Sequence, residues 1–241
     1  MMLHVRDFFD LSATEHAALF AETTYVWEAL TKIGDYIKMR LADDLPSNAE
    51  TLALHPTTVL SGDIHVGEGT KIDPCVYIEG PAIIGRNCEI RHGAYLRGNV
   101  ILGDGVTIGH TSELKNTVML EGAAAPHFAY LGDSLLGARV NLGAGTKLSN
   151  LAVTSRKDPV TDRRPTVALD IDGRRVDTGL TKIGAILGDD AQTGCNCVTN
   201  PGCLIGPRTL VYALVSLAKG YYPPDQVIKL RQQTETVPRR P

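Results

Sequence analysis

Twelve aliphatic residues recur at a six-residue interval: Leu54, Leu60, Val66, Ile72, Ile78, Ile84, Ile90, Leu96, Leu102, Ile108, Leu114 and Leu120. Neither a helix (period 3.6) nor a half-buried strand (period 2) produces that spacing, and a hexapeptide period marks a β-solenoid. Two residues before each aliphatic the chain reads Thr58, Ile64, Thr70, Val76, Ala82, Cys88, Ala94, Val100, Val106, Ser112 and Val118. Residues two apart on a strand share a face, so each hexad predicts a short strand with this pair pointing inward. Gly67, Gly85, Gly103 and Gly109 directly follow aliphatic positions and are expected to turn corners with an unusual φ. Asn and Asp elsewhere in the hexads serve the same turns. Three sides close a triangular coil, in which residues 18 apart stack at about 4.8 Å.

The period slips between Leu120 and Leu136, returns at Leu142 and Leu148, and returns again from Leu187 through Thr193, Thr199, Ile205 and Val211. A slip that keeps the period on both sides predicts a loop pushed out of a corner. One such insertion is expected over 121–131, centred on 121–129, and a larger one over 151–182. Within the second, Val167, Leu169 and Ile171, then Asp172-Gly173, then Val176 read as a hairpin. Residues 1–50 carry no hexads. Ser12-Ala13-Thr14-Glu15 fits a capping box, and Val26, Leu30, Ile33 and Ile37 form a helical stripe whose expected role is packing. The architecture expected is an all-β solenoid over 51–217, two short helices within 1–50 that cap or flank the solenoid, and a tail over 218–241. That tail offers Tyr221-Tyr222-Pro223-Pro224, a short helix to Gln233, and a basic end at Arg239 and Arg240.

At 241 residues the chain is long enough for one solenoid domain with appendages, and a net charge of −3 argues against a general nucleic-acid binder. No N-terminal apolar run resembles a signal peptide or a membrane span, so a cytoplasmic protein is expected. Five cysteines are an odd number. Cys88, Cys197 and Cys203 fall on the small inward position, no spacing matches a zinc site, and free thiols are expected.

A solenoid displays polar residues in columns. Arg97 and Lys115, 18 apart, are expected to stack as two cations within reach of one anion; the plainer reading is a solvated pair worth little. His92 and His110 form a second column, read first as a surface ladder and only second as a metal pair. His127, after Pro126 and close to Tyr130 at the slipped corner, has the chemistry of an acid–base group. Asn141 through Thr146, and on to Asn150, supply carboxamides and Gly-rich turns whose backbone N–H groups can hold sugar hydroxyls or an oxyanion.

Four short motifs in register carry a family resemblance: Leu96-Arg97-Gly98, Ser112-Glu113-Leu114-Lys115-Asn116, His127-Phe128-Ala129-Tyr130-Leu131-Gly132-Asp133, and Val140-Asn141-Leu142-Gly143-Ala144-Gly145-Thr146. From about 58 to 220 the chain resembles the left-handed parallel β-helix acetyltransferase domain of the bifunctional glucosamine-1-phosphate N-acetyltransferases and the related sugar-phosphate nucleotidyltransferase-like proteins. The resemblance implies an acetyl-CoA-dependent N-acetyltransferase acting on glucosamine-1-phosphate or galactosamine-1-phosphate in nucleotide-sugar synthesis, working as a homotrimer without a metal. It implies His127 as general base with Glu113 orienting it, and Arg97 and Lys115 as sugar-phosphate binders. Tyr130, Asn141 and Asn150 would be sugar contacts, and Lys182 a cation reaching an adjoining subunit's site. Ala144 would offer a backbone N–H to the acetyl carbonyl, and Cys195 and Ala213 would touch acetyl-CoA.

Departures bear on the substrate more than on the reaction. The 50 residues before the repeats are too few for the family's uridylyltransferase half; Pro126, Leu151 and Cys195 replace a small residue, an aromatic and a hydroxyl. Two rivals differ in class. A non-catalytic β-helix protein that regulates a sugar nucleotidyltransferase would not need Arg97, Lys115, His127, Tyr130 and Asn150. A γ-class carbonic anhydrase would need a His-x4-His zinc pair, and no two histidines here are five apart. An acceptor other than these two sugar phosphates, including a nucleotide-linked amino sugar, is a variant of the main reading.

Overall fold

The structure is a computed structural model and describes residues 3–235, 237 and 238; Arg239 and Arg240 of the expected basic end lie outside them. From Val59 to Ile228 the chain winds into a parallel β-solenoid, as the hexads predict. Each coil has three sides. The first face runs from Val59–Ser61 to Ser216–Leu217, the second from Ile64–Val66 to Gly220–Tyr222, and the third from Lys71–Ile72 to Val227–Ile228. The third face is an 8-stranded sheet. The first two form one 14-stranded sheet, because Glu113–Met119 and Tyr130–Leu136 run round a corner and serve both faces. The inward residues fill a continuous apolar core in which Ile78, Leu96, Ile108, Leu142 and Leu187 are fully buried.

The expected loop over 121–131 does not form. Ala124–His127 is a strand of the third face and Tyr130 opens the next strand of the first. The slip in period consists instead of two single-residue deletions at one corner. Leu96 pairs with Leu114 eighteen residues on, but Val100 pairs with Thr117 and Leu102 with Met119, seventeen on. The same step recurs in the next coil, where Ser134 follows Leu131 by three residues. Thr117 and Ser134 therefore take the inward position, fully buried, and their hydroxyls donate to Leu131 O and Gly132 O at 3.1 and 2.8 Å. Met119 replaces Leu120 in the solenoid core, and Val118 and Leu120 lie outside it.

The glycines after the aliphatic positions serve a different purpose from the one expected. Positive φ falls two residues further on, at Gly69, Asn87, Gly105 and Thr111. Gly67, Gly85, Gly103 and Gly109 are small because the next coil's backbone passes close by. A Cβ at Gly109 would lie 1.5 Å from Pro126 O.

Residues 3–45 flank the solenoid, the second of the two placements expected, rather than capping its first coil. They form short 3-10 turns and one α-helix, Ile33–Asp43, laid along the second face. That face presents an outward ladder of Ile83, Ile101, Val118, Leu135, Ile186 and Leu204, all buried beneath Leu3, Phe8, Leu19, Trp27 and the stripe Val26, Leu30, Ile33 and Ile37. Each such aliphatic side chain contributes about 1.5–3 kcal/mol of burial. The capping box at Ser12 is not used; Asp10 accepts from Ser12 N instead, and its turn ends at Ala13. The exposed edge of the second face is covered by Ser47 and Asn48. Asn48 donates through N to Ile64 O and through Nδ2 to Val66 O, and its Oδ1 accepts from Val66 N.

The excursion after Asn150 leaves from the corner between first and second faces and carries the expected hairpin, Ala168–Ile171 against Arg174–Asp177. Asp172 and Gly173 take positive φ at its turn, and Leu169 and Ile171 join the second core. No helix forms between Tyr222 and Gln233; the solenoid itself continues through Gly220–Tyr222 and Val227–Ile228. The five cysteines are free thiols, and burial pushes Cys203 up to about 12.

Replacing Gly109 by Ala should abolish cooperative thermal unfolding at the wild-type temperature, whereas Gly105→Ala, which meets nothing within 4 Å and carries only φ strain, should cost about 1 kcal/mol. A second prediction concerns His16, fully buried with Nδ1 3.2 Å from Tyr36 Oη and Nε2 without a partner. Burial lowers its pKa from 6.5 to about 4; Glu15, Asp44 and Asp104 oppose the fall and Arg40 assists it. The fold holds the neutral ring. Below pH 6.5 the unfolded chain takes up a proton that the folded chain refuses, so stability should fall as pH drops from 6.5 to 4, by roughly 3 kcal/mol at most. Denaturant midpoints across that range should show the slope, and His16→Leu should remove it.

Candidate functional site

Strand register sorts the sequence-derived residues into two columns flanking the first face. At the corner entering it, His110 pairs with His127. The ladders Ala124↔Asn141, Asn141↔Gln192 and Gln192↔Leu210 then place Ala144, Cys195 and Ala213 in the same column. The candidate base and the three candidate acetyl-CoA contacts thus share one edge of the solenoid, His127 toward the N-terminal coils and Ala213 toward the C-terminal ones. Asn196 N donates to Ala144 O at 2.8 Å and Leu214 N to Cys195 O at 2.9 Å. The N–H groups of Ala144, Cys195 and Ala213 have no acceptor among the described residues. The corner therefore leaves one amide without a protein acceptor in each of these three coils, each able to donate to water or a ligand.

His127 is exposed, and its ring centroid is 6.0 Å from that of His110. Phe128 follows with φ 33 and 48% exposure, its ring 5.9 Å from His110. A bulky residue in the left-handed region is a strained position of the kind that gathers at functional sites. Among the described residues no group of three His, Cys, Asp or Glu side chains is placed to hold a metal. The His92–His110 column lacks a third ligand of that kind.

The second column lies at the corner leaving the first face. Arg97, Lys115 and Gly132 occupy successive coils at one position, so the two cations do stack. Each already has a carboxylate: Arg97 Nη1 is 2.6 Å from Glu113 Oε1, and Lys115 Nζ is 3.7 Å from Asp133 Oδ1. Glu113, expected to orient His127, is bonded to Arg97 here.

Asp133 was only part of a motif in the sequence; the fold makes it the centre of this corner. It is 7% exposed with φ 46. Its Oδ1 accepts from Asn116 Nδ2 at 3.1 Å and its Oδ2 from Asn150 Nδ2 at 2.5 Å. Asn150 Oδ1 in turn accepts from Tyr130 Oη at 3.3 Å. Burial first, then the nearby carboxylates of Glu113 and Asp133, push the Tyr130 phenol up, which keeps it a proton donor. A Cβ at Gly132 would lie 2.5 Å from Asn150 Nδ2 and 2.7 Å from Tyr130 Oη, so a larger residue there would displace the ends of both side chains. The one-residue deletions create this crowding by bringing Asn116 and Asp133 together without the extra turn residue present at Gly98-Asn99. Asn116 also donates to Leu30 O at 3.3 Å, so the N-terminal segment buttresses the corner. A signal for Asp133 was available: the aliphatic-to-aliphatic spacing shortens to five at Leu131 and Leu136, where it stands.

Lys182 is exposed at the end of the excursion, one residue before Ile183, whose N–H donates to Asn150 O at 3.1 Å. It returns to its own chain's corner. Asn141 is exposed on the third face, in line with Gln192, apart from the Asp133 cluster. A cavity of about 910 Å³ lies elsewhere, between His4–Leu11 and the corner of Arg139, Asp189 and Arg208. It contains none of the candidate residues, and its Arg139 and Arg208 are engaged by Asp190 and Asp225.

The geometry is that of a hexapeptide-repeat solenoid with two polar corners, one carrying the paired imidazoles of His110 and His127 and a row of free amides, the other a set of cations and carboxamides. Comparisons with known proteins bear out the resemblance read from the motifs. Residues 78–167 match the family described as the GMPPB C-terminal domain. The chain is 34% identical over 105 residues to the bifunctional sugar-1-phosphate nucleotidylyltransferase/acetyltransferase of Sulfurisphaera tokodaii, covering 43% of this chain and 24% of that protein. It is 37% identical over 95 residues to the bifunctional protein GlmU of Methanococcus maripaludis, covering 39% and 21%. The chain thus spans about a quarter or less of these relatives' length. A UDP-N-acetylglucosamine acyltransferase structure from Francisella novicida aligns with 68% of this chain and 58% of its own, at TM-score 0.46 and 13% identity. No helix among the described residues is long and apolar enough to cross a membrane.

Asp133→Ala should leave the carboxamides of Asn116 and Asn150 and the ammonium of Lys115 without their shared acceptor. A loss of about 1–3 kcal/mol is expected, read as a lower denaturant midpoint at unchanged m-value.

Proposed function

We propose that this chain is an acetyl-CoA-dependent N-acetyltransferase of amino-sugar phosphates, with a hexosamine 1-phosphate as the acceptor unit and His127 as general base. The observation that carries the reading is the shared edge. His127 lies in one column with the free amides of Ala144, Cys195 and Ala213, while Arg97, Lys115, Tyr130 and Asn150 lie across the first face from it. Donor and acceptor would approach from opposite ends and meet at His127.

The chemistry assigns each group a task. The amine, as free base, attacks the thioester carbonyl carbon. A C–N bond forms, the nitrogen's proton passes to the His127 imidazole, the C–S bond breaks, and the departing CoA thiolate takes up a proton. A neutral imidazole has a ring nitrogen free to accept the amine's proton, and a general base of this kind contributes about 10²–10⁴-fold. The Ala144 N–H would donate to the oxyanion of the tetrahedral intermediate, a contact whose removal typically costs about 10²–10³-fold. Arg97 and Lys115 would exchange Glu113 and Asp133 for the sugar phosphate, Arg offering two parallel donors. Tyr130 and Asn150 would take sugar hydroxyls at the Asp133 corner, and Asn141 would have to reach the acceptor separately, from the third face beside the His127 column. Nothing requires a covalent enzyme intermediate, so Cys195 is not assigned as a nucleophile. The reading includes a homotrimer, in which Lys182 would complete the site of an adjoining copy.

The test is thiol release from acetyl-CoA with purified protein, offered glucosamine-1-phosphate and galactosamine-1-phosphate in turn. Release with either is expected. His127→Ala should cut it at least a hundredfold while the size-exclusion profile stays as in wild type; undiminished turnover in that variant would remove His127 from the mechanism.

A further inference from the structure

The first face does not end at Arg97. One coil nearer the N-terminus, Glu79 stands in register with Arg97, and Tyr77 with Tyr95. Tyr77 and Tyr95 are 41% and 38% exposed, and with Val59, in register with Tyr77 and 44% exposed, they leave an apolar strip on this face beside Glu79 and Arg97. Their rings meet edge to face, centroids 5.5 Å apart at 81°. The Arg97 guanidinium lies 5.7 Å from the centre of the Tyr95 ring while Glu113 holds its Nη1. Tyr95 is thereby held by both Tyr77 and Arg97, while Tyr77 remains 41% exposed. Along the solenoid axis the order is Tyr130 and Asn150, then Lys115, then Arg97 with Tyr95, then Glu79 with Tyr77.

That order matches the parts of a nucleoside diphosphate-linked sugar. From Lys115 to the Tyr77–Glu79 coil is two coils, roughly 10 Å at the strand spacing, the reach of such a molecule from its diphosphate to its base. Two stacked cations suit two phosphates better than one. A carboxylate beside them suits ribose hydroxyls, the use acidic residues have in dinucleotide sites. Exposed tyrosines suit a base, whose π-face stacks on aromatic rings. A sugar 1-phosphate bound at Tyr130, Asn150 and Lys115 would leave Tyr77 and Glu79 with nothing to do.

We propose that Tyr77, Glu79 and Tyr95 form a nucleoside subsite, and that the preferred acceptor carries its amino sugar on a nucleoside diphosphate. The inference rests on the acetyltransferase reading above and narrows its acceptor. The class of reaction that supplies this substrate is then nucleotidyl transfer to a sugar phosphate, with amine and nucleotide both in place before acetylation.

The test compares kcat/KM for UDP-glucosamine and glucosamine-1-phosphate in wild type, Tyr77→Ala and Tyr77→Phe, with UDP binding measured by calorimetry on the same proteins. Wild type should favour UDP-glucosamine at least tenfold, the worth of one base stack. Tyr77→Ala should bring the ratio near unity and abolish UDP binding, and Tyr77→Phe should retain both. A wild type that uses glucosamine-1-phosphate as well or better overturns the subsite and leaves the acetyltransferase standing. UDP binding that depends on Tyr77, without acetyl transfer to either compound, supports the subsite and sinks the acetyltransferase reading. A Tyr77→Ala protein whose oligomeric size changes marks the tyrosines as an interface between copies and overturns the proposal.

Discussion

Everything in this protein depends on the in-register stacking of one coil on the next. Each strand has two to four residues on most sides, far too few to hold together alone, and its backbone N–H and C=O groups find partners only in the coils above and below. The stacking distance is set by hydrogen bonding. No coil can therefore thicken, and any change in length has to be absorbed at a corner. The small residues at Gly67, Gly85, Gly103 and Gly109 follow from the same constraint, since a Cβ there would enter the backbone of the next coil.

The candidate site is a consequence of that rule. At the corner between first and second faces the chain loses one residue after Leu114 and another after Leu131, and gains more than thirty after Asn150. The losses pull Asn116 and Asp133 inward against Asn150, and buried Thr117 and Ser134 hydroxyls bond the backbone where a turn residue is missing. A carboxylate as buried as Asp133 needs several donors, and it has three side chains around it. The opposite corner keeps its regular length, so its free amides stay in line from Ala144 to Ala213. One irregular edge that fixes polar side chains thus faces one regular edge that offers backbone donors.

The N-terminal segment has a related role. A solenoid with an aliphatic ladder from Ile83 to Leu204 on its outside would expose a continuous apolar strip, a liability in water. Residues 3–45 and the hairpin at Ala168–Asp177 bury it. Through Asn116 and Leu30 the covering also touches the Asp133 corner, so its loss would loosen the polar cluster as well as the fold.

Hexad periodicity alone determined the solenoid, its inward-facing residues, the column of Arg97 over Lys115 and the hairpin at Asp172-Gly173, because each follows from a fixed repeat and local turn chemistry. It misassigned whatever depends on which residue a corner omits. Leu120 was expected inward and Met119 is there; a loop was expected over 121–131 and a strand is there. The outward ladder from Ile83 to Leu204 was present in the sequence, yet only a face with a partner segment gives it meaning. The shortened spacing at Leu131 and Leu136 marks where Asp133 stands, but neither its donors nor the edge-to-face meeting of Tyr77 and Tyr95 can be read from the repeat. The repeat says that residues about eighteen apart stack, but a single deleted residue shifts every later neighbour by one, and only the folded corner decides which donors meet which acceptor.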